Sequence, residues 1–255
     1  MTSEQTWQLA ALLWTGLALL TFVFLWYWRR PQPYGRHTPA AGFGPLIDNR
    51  LGWILQELPS PLCLLIFYLH GEGPKPAASA LLVGLWLLHY GNRTLVYPLR
   101  TRTTGKRIPV LIVAAAIGFN VVNGALNGHQ LGAGDFPPGF FTSARFVVGL
   151  GIFALGMGIN LWSDEVLLGL RGRGEGGGYQ IPRGGLFEYV SCPNYLGEMI
   201  EWLGFAVLGG SLAALSFAVW TIANLTPRAR DHHRWYQQRF ANYPRDRRAL
   251  VPFLL

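Results

Sequence analysis

Several acidic, phenolic and amide side chains lie inside stretches that are otherwise apolar, and the chemistry of the chain is read from them first. Gln56 and Glu57 interrupt the run LGWILQELPSPLCLLIFYLH at 51–70. A carboxyl group in such surroundings is either paired or kept protonated by loss of its hydration. A neutral Glu donates a hydrogen bond to a carbonyl oxygen. Tyr90, Arg93 and Tyr97 in LLHYGNRTLVYPLR are spaced i, i+3 and i+7, one face of an α-helix. A buried Tyr hydroxyl beside a buried carboxyl makes an acid pair that polarises or protonates a carbonyl. The competing reading of each group is a hydrogen bond that only holds helices together.

Three further clusters follow. Asn160, Asp164 and Arg171 in GMGINLWSDEVLLGLRGRG fall near one helix face and form a polar track towards one end of their run. Asn194, Glu198 and Glu201 are spaced i, i+4 and i+7 in SCPNYLGEMIEWLGF, with Pro193 placed to start the helix. Two acidic residues on one face of an apolar helix are hard to explain as packing. His232 and Tyr236 share a face in RARDHHRWYQQRF, between Arg228 and Arg239. No third ligand stands at metal spacing from the His232–His233 pair, so no metal is expected. A His, Arg and Tyr cluster suits phosphate and ribose. Gly172, Gly174 and Gly177 spell GxGxxG, but no β-strand precedes them as a dinucleotide fingerprint requires. The residues as a set offer acids and carbonyl-polarising groups but no nucleophile, so redox chemistry here needs a cofactor.

The elements that position these residues are membrane helices. Of 255 residues, 51% are hydrophobic and 13% charged, about half the charge of a soluble domain. Apolar runs at 7–28, 51–70, 77–97, 108–130, 144–170, 194–208 and 211–225 predict an all-α, seven-span integral membrane protein in one domain, with a polar segment at 226–255. With the N-terminus outside and the C-terminus cytoplasmic, eighteen of the 21 basic residues fall on inner segments. The net charge of +8 thus reflects topology and a phosphate-bearing ligand, with no nucleic acid as partner. The first run ends in Arg29-Arg30 and has no basic residues ahead of it, the reverse of a cleaved signal, so it is expected to be a retained anchor. Cys63 and Cys192 form neither metal spacing nor a disulfide framework. Gly149, Gly151, Gly156 and Gly158 are candidates for close helix packing.

Five blocks carry a family resemblance: WILQELPS (53–60), LHYGNRTLVY (88–97), GMGINLWSD (156–164), YQIPRGGLFEYVSCPNYLGEMIEWLGF (179–205) and HHRWYQQRFANYPRDRRALVPF (232–253). From about Tyr34 to the C-terminus the chain resembles the steroid 5α-reductase family, and is closest in character to its type 2 members. The resemblance implies NADPH-dependent reduction of the Δ4 double bond of a 3-oxosteroid, hydride passing to C5 and a proton to C4. Carried over by position, Glu57 and Tyr90 match the pair that holds the 3-oxo group, with Gln56 beside them. Asn160, Asp164, Arg171, Asn194, Glu198, His232 and Tyr236 match cofactor-contacting positions; Tyr34, Arg36, Arg93, Tyr97, Arg102 and Tyr179 are added, with Arg183 a further possibility. The outer loops and the first span depart from the animal enzymes, so the steroid pocket is expected to have its own shape.

The C-terminal third also resembles, more loosely, isoprenylcysteine carboxyl methyltransferases and intramembrane sterol reductases. Gln56, Glu57 and Tyr90 separate the readings, because a methyltransferase has no use for them. A transporter is disfavoured by the absence of internal repeats. The expected partners are an apolar Δ4-3-oxosteroid or similar enone and membrane lipid, with the chain a monomer. Nineteen Arg against 2 Lys favour a bacterial inner membrane over the endoplasmic reticulum of a eukaryote.

Overall fold

A computed structural model describes residues 2–28, 37, 44–101, 105–170 and 179–255. The protein is a helical membrane protein: α1 (Ser3–Tyr27), α2 (Asn49–Glu57), α3 (Pro59–His70), α4 (Ala77–Gly91), α5 (Tyr97–Arg100), α6 (Val110–Ala133), α7 (Ala144–Leu170), α8 (Pro193–Gly209) and α9 (Leu212–Arg239). A short antiparallel ribbon, β1 (Leu46–Asp48) and β2 (Arg107–Pro109), pairs Leu46 with Pro109 and Asp48 with Arg107. It is a small exception to the all-helical expectation.

Among the described residues, four helical stretches are long and apolar enough to cross a membrane: Ser3–Tyr27, Asn49–His70, Val110–Ala133 and Ala144–Leu170. The other three expected runs take different forms. The run at 77–97 is α4 interrupted by a π turn at Asn92–Val96, 194–208 is most of the 17-residue α8, and 211–225 is the first half of a 28-residue α9.

The chain forms two compact units. The first holds 1–11, 32–146 and 211–214; the second holds 12–31, 147–210 and 215–255. In the first unit Asp48 caps α2, accepting from the backbone N–H of Arg50 and Leu51. Pro59 opens α3 and has no N–H to give the carbonyl of Leu55, so the ladder is broken where α2 ends. α3 then runs along α6 at backbone distance. A Cβ on Gly124 would lie 2.6 Å from the Ser60 carbonyl oxygen, and one on Gly132 would lie 2.9 Å from that of Phe67. Gly128 opposes Leu64 in the same seam. Gly134, with φ +67, ends α6 in the left-handed conformation.

The second unit repeats the device with α7 and α8. Gly156 opposes the backbone of Glu201, Gly204 that of Phe153, and a Cβ on Gly197 would lie 2.5 Å from the Asn160 nitrogen. Of the four glycines singled out in α7, Gly149 and Gly156 therefore pack within the chain, while Gly151 and Gly158 have open space where a side chain would go.

Candidate active site

In the first unit the break before Pro59 leaves Gln56 buried and Glu57 half-buried at the last turn of α2. The Gln56 side-chain amide donates to Glu57 Oε1 at 3.1 Å. Asn120, in the middle of α6 and 4% exposed, donates through Nδ2 to the main-chain oxygen of Gln56 at 2.6 Å. The Tyr90 hydroxyl, buried at the end of α4, donates to Asn120 Oδ1 at 3.2 Å. Trp86 stacks on the Tyr90 ring at 5.4 Å and His89 meets it edge-on at 5.1 Å. Thus Glu57, Gln56 and Tyr90 are gathered into one hydrogen-bonded cluster through a residue that the motif reading passed over. Gln56 Oε1 is buried and has no hydrogen-bond partner among the described residues.

The uniform helical face expected for Tyr90, Arg93 and Tyr97 is not what forms. The π turn at Asn92–Val96 widens the helix between them, with the Tyr97 N–H reaching back to the Asn92 carbonyl. Pro98 follows directly and cannot donate to the carbonyl of Thr94. Arg93 and Tyr97 gather instead around Trp53. The guanidinium lies 5.0 Å from the Trp53 ring centre and 5.1 Å from that of Tyr97, and Trp53 Nε1 donates to the Arg93 carbonyl at 2.9 Å. Tyr34, Arg36 and Arg102 lie outside the described residues.

In the second unit Pro193 does start α8. Asn160 is buried on α7 and donates through Nδ2 to the Asn194 carbonyl at 3.0 Å, with Asp164 buried one turn further on. Asn194 and Glu198 are half-buried, and Glu201 is fully enclosed opposite Gly156. His232 Nε2 and the Tyr195 hydroxyl share a hydrogen bond of 3.0 Å. Tyr236 is buried and stacks on Tyr243 at 5.3 Å. Tyr179 is exposed and meets Trp235 edge-on at 5.0 Å. Arg183 is exposed, 3.9 Å from Glu188. Arg171 and the glycines of the GxGxxG stretch lie outside the described residues.

The two adjacent histidines have different surroundings. His233 Nδ1 lies 2.6 Å from Ser191 Oγ, which is also 2.6 Å from the Tyr243 hydroxyl and donates to the Arg248 carbonyl at 3.1 Å. Burial, and then the charges of Arg247 and Arg248, hold His233 below the usual histidine range. Burial likewise pushes the Tyr243 phenol up. Arg247 has a fully buried side chain that donates to the Pro182 carbonyl at 3.1 Å and lies 3.7 Å from Glu188. Ser191, Tyr243 and Arg247 carry no local signal in the sequence, since their partners are 42 to 65 residues away.

The model of the family described as 3-oxo-5-alpha-steroid 4-dehydrogenase matches residues 106–255. The chain belongs to this family. It is 41% identical over 242 residues to a steroid 5-alpha-reductase DET2 of Solanum lycopersicum, covering 93% of both chains. It is 42% identical over 244 residues to the 3-oxo-5-alpha-steroid 4-dehydrogenase 2 of Homo sapiens, covering 89% of this chain and 90% of the human one. The 3-oxo-5-alpha-steroid 4-dehydrogenase 1 of Macaca fascicularis is 42% identical over 224 residues, or 87% of this chain and 84% of that one. As a member of this family the chain is an oxidoreductase acting on a CH–CH bond.

Proposed function

We propose that this enzyme reduces the Δ4 double bond of 3-oxo-Δ4-steroids to 5α-3-oxosteroids with NADPH as reductant. The observation that carries the proposal is the buried cluster of Glu57, Gln56, Asn120 and Tyr90 in a chain of this family. NADPH, when bound, supplies the hydride that C5 accepts. Charge then develops on the 3-oxo oxygen, which needs donors fixed in advance in a site without bulk water. Glu57 and Tyr90 fill that role. In this reading Glu57 acts as a neutral acid that donates to the steroid oxygen, while Gln56 donates to its Oε1. C4 takes a proton from solvent to complete the saturated ketone.

The family resemblance assigns the cofactor to Asn160 and Asn194, whose amides can donate, to Asp164 and Glu198, whose carboxylates can accept from ribose hydroxyls, and to His232 and Tyr236. By the same resemblance Arg171 and Tyr179 are assigned to the cofactor in this unit, and Tyr34, Arg36, Arg93, Tyr97 and Arg102 are the positions of the first unit assigned to it, the arginines suiting phosphate. The membrane arrangement proposed with it is seven spans, N-terminus outside and C-terminus cytoplasmic, in a bacterial inner membrane, with the chain acting as a monomer.

The test uses purified protein in detergent with NADPH and testosterone or progesterone, the product being followed by mass spectrometry, with NADH and S-adenosylmethionine as controls. A 5α product that requires NADPH is expected. Glu57→Gln and Tyr90→Phe should each lower turnover by about 10²-fold, the usual loss of one oxyanion donor, with NADPH affinity unchanged. Arg171→Ala should weaken NADPH first. Equal loss of NADPH affinity in all three variants would refute the assignment of roles.

A further inference from the structure

We infer that Asn120 is the positioning residue of the acid pair: it fixes the Tyr90 hydroxyl and holds its proton until a substrate carbonyl replaces it as acceptor. The inference rests on the steroid reductase reading of Glu57 and Tyr90 and extends it to a residue on a third helix. The orientation of the amide follows from its partners. The main-chain oxygen of Gln56, 2.6 Å away, only accepts, so the Asn120 group facing it must be the NH2. The amide oxygen is thereby turned to Tyr90, whose hydroxyl has a single proton to give. That proton points at Asn120 in the protein without substrate.

The anchor on the other side of the amide is the last turn of α2, which carries Glu57. One carboxamide thus ties the backbone beside the carboxyl group to the phenol that works with it. Both of its neighbours are held independently: Tyr90 by the Trp86 ring, and α2 by the bonds at its own cap. On arrival of a 3-oxo group the hydroxyl rotates its proton from one acceptor to another without moving its oxygen, so little reorganisation accompanies the developing charge.

Two measurements test this. In ligand-free protein carrying 13Cζ-tyrosine, the Tyr90 resonance is identified by its loss in Tyr90→Phe. Asn120→Leu, which removes the acceptor at similar volume, should shift that resonance; an unmoved resonance would overturn the hydrogen bond. In steady-state turnover with NADPH and testosterone, Asn120→Leu should lower kcat by about tenfold, the upper end for one neutral hydrogen bond, with the Kd of NADPH unchanged. The same substitution in a Tyr90→Phe background should cost several-fold less than in wild type, because the bond to Tyr90 is already gone and only the one to the Gln56 oxygen is left to lose. Equal losses in the two backgrounds would make Asn120 a merely structural residue and overturn the inference. If Asn120→Leu does not assemble, Asn120→Ala carries the same comparison. If wild-type protein makes no product, the steroid reading has failed, while the resonance still decides whether Asn120 holds the Tyr90 proton.

Discussion

Adding one methyl group to the α3–α6 seam should damage both stability and turnover, and the structure gives the size of the effect. In Gly124→Ala the new Cβ would lie 2.6 Å from the Ser60 oxygen and 2.9 Å from Cys63 Cβ, where ordinary contacts start near 3.4 Å. Ser60 O and Leu64 N are backbone atoms of α3 and Cys63 Cβ is fixed directly to that backbone, so the helices must separate by about 0.8 Å to restore contact. Gly118→Ala on the same helix is the control, because nothing lies within 4 Å of its Cβ. Both substitutions gain the same helix propensity, so their difference isolates the clash. Overpacking of this kind costs about 1–3 kcal/mol. At about 2–4 °C per kcal/mol for a chain of this size, Gly124→Ala should melt at least 2 °C, and up to about 12 °C, below Gly118→Ala. The same displacement would lengthen the 2.6 Å bond from Asn120 to the Gln56 oxygen towards about 3.4 Å and weaken it. Turnover should therefore fall in Gly124→Ala and hold in Gly118→Ala. Thermal unfolding in detergent and product formation read the two effects. Equal melting points and equal turnover in the two variants would refute the backbone-contact reasoning.

Three other outcomes are expected. His233 is held below the usual range near pH ~6.5 by burial and by Arg247 and Arg248, so the unfolded chain binds its proton first as pH falls. The stability it contributes is complete above that range and lost as pH drops through it; the melting temperature should fall less steeply between pH ~7 and ~5 in His233→Asn than in wild type, and parallel slopes would count against it. Arg247→Ala should lower stability by about 2–4 kcal/mol through a lost cation, packing and the Pro182 bond, whereas Glu188→Gln, on a side chain 45% exposed, should cost less than about 1 kcal/mol. Comparable losses would mean that the ion pair, not the buried guanidinium, matters. Lys75→Met removes donors to the carbonyls of Gly71, Gly73 and Gly132; protease cleavage in 71–76 should rise while NADPH binding stays the same, and unchanged cleavage would show the clamp to be dispensable.

Hydropathy and spacing read well where the determinant is local. The long helices, the start of α8 at Pro193 and the polar positions Gln56, Glu57, Asn160 and Glu201 all stand in the sequence as apolar runs and their interruptions. The π turn at Asn92–Val96 does not, because the spacing of Tyr90, Arg93 and Tyr97 fits an α-helix, and only Pro98 hints at the break. Ser191, His233 and Tyr243 meet across distant segments and leave no periodic trace. Asn120 had a signal that titratable residues overshadowed. With Asn123 and Asn127 it forms a row at i, i+3 and i+7 inside an apolar helix, and all three are buried.

Each unit buries amides of this kind away from water. A buried carboxamide is tolerable only with partners in reach, and in a membrane the nearest unused acceptors are backbone oxygens. Glycine seams bring them close. Beside Gly124, Asn120 reaches the Gln56 oxygen at 2.6 Å, while Asn127 uses the Asn123 oxygen of its own helix at 3.0 Å and the Ala213 oxygen of α9 at 3.4 Å. Beside Gly156 and Gly197, Asn160 reaches the Asn194 oxygen at 3.0 Å. A glycine seam therefore does more than pack helices: it brings a neighbouring backbone oxygen within reach of a buried amide. Where Asn and Gly rows run together on one membrane helix, the amide that bonds a neighbouring backbone and leaves its oxygen towards a titratable group is the one to suspect of function. In this chain that residue is Asn120, with its oxygen on Tyr90.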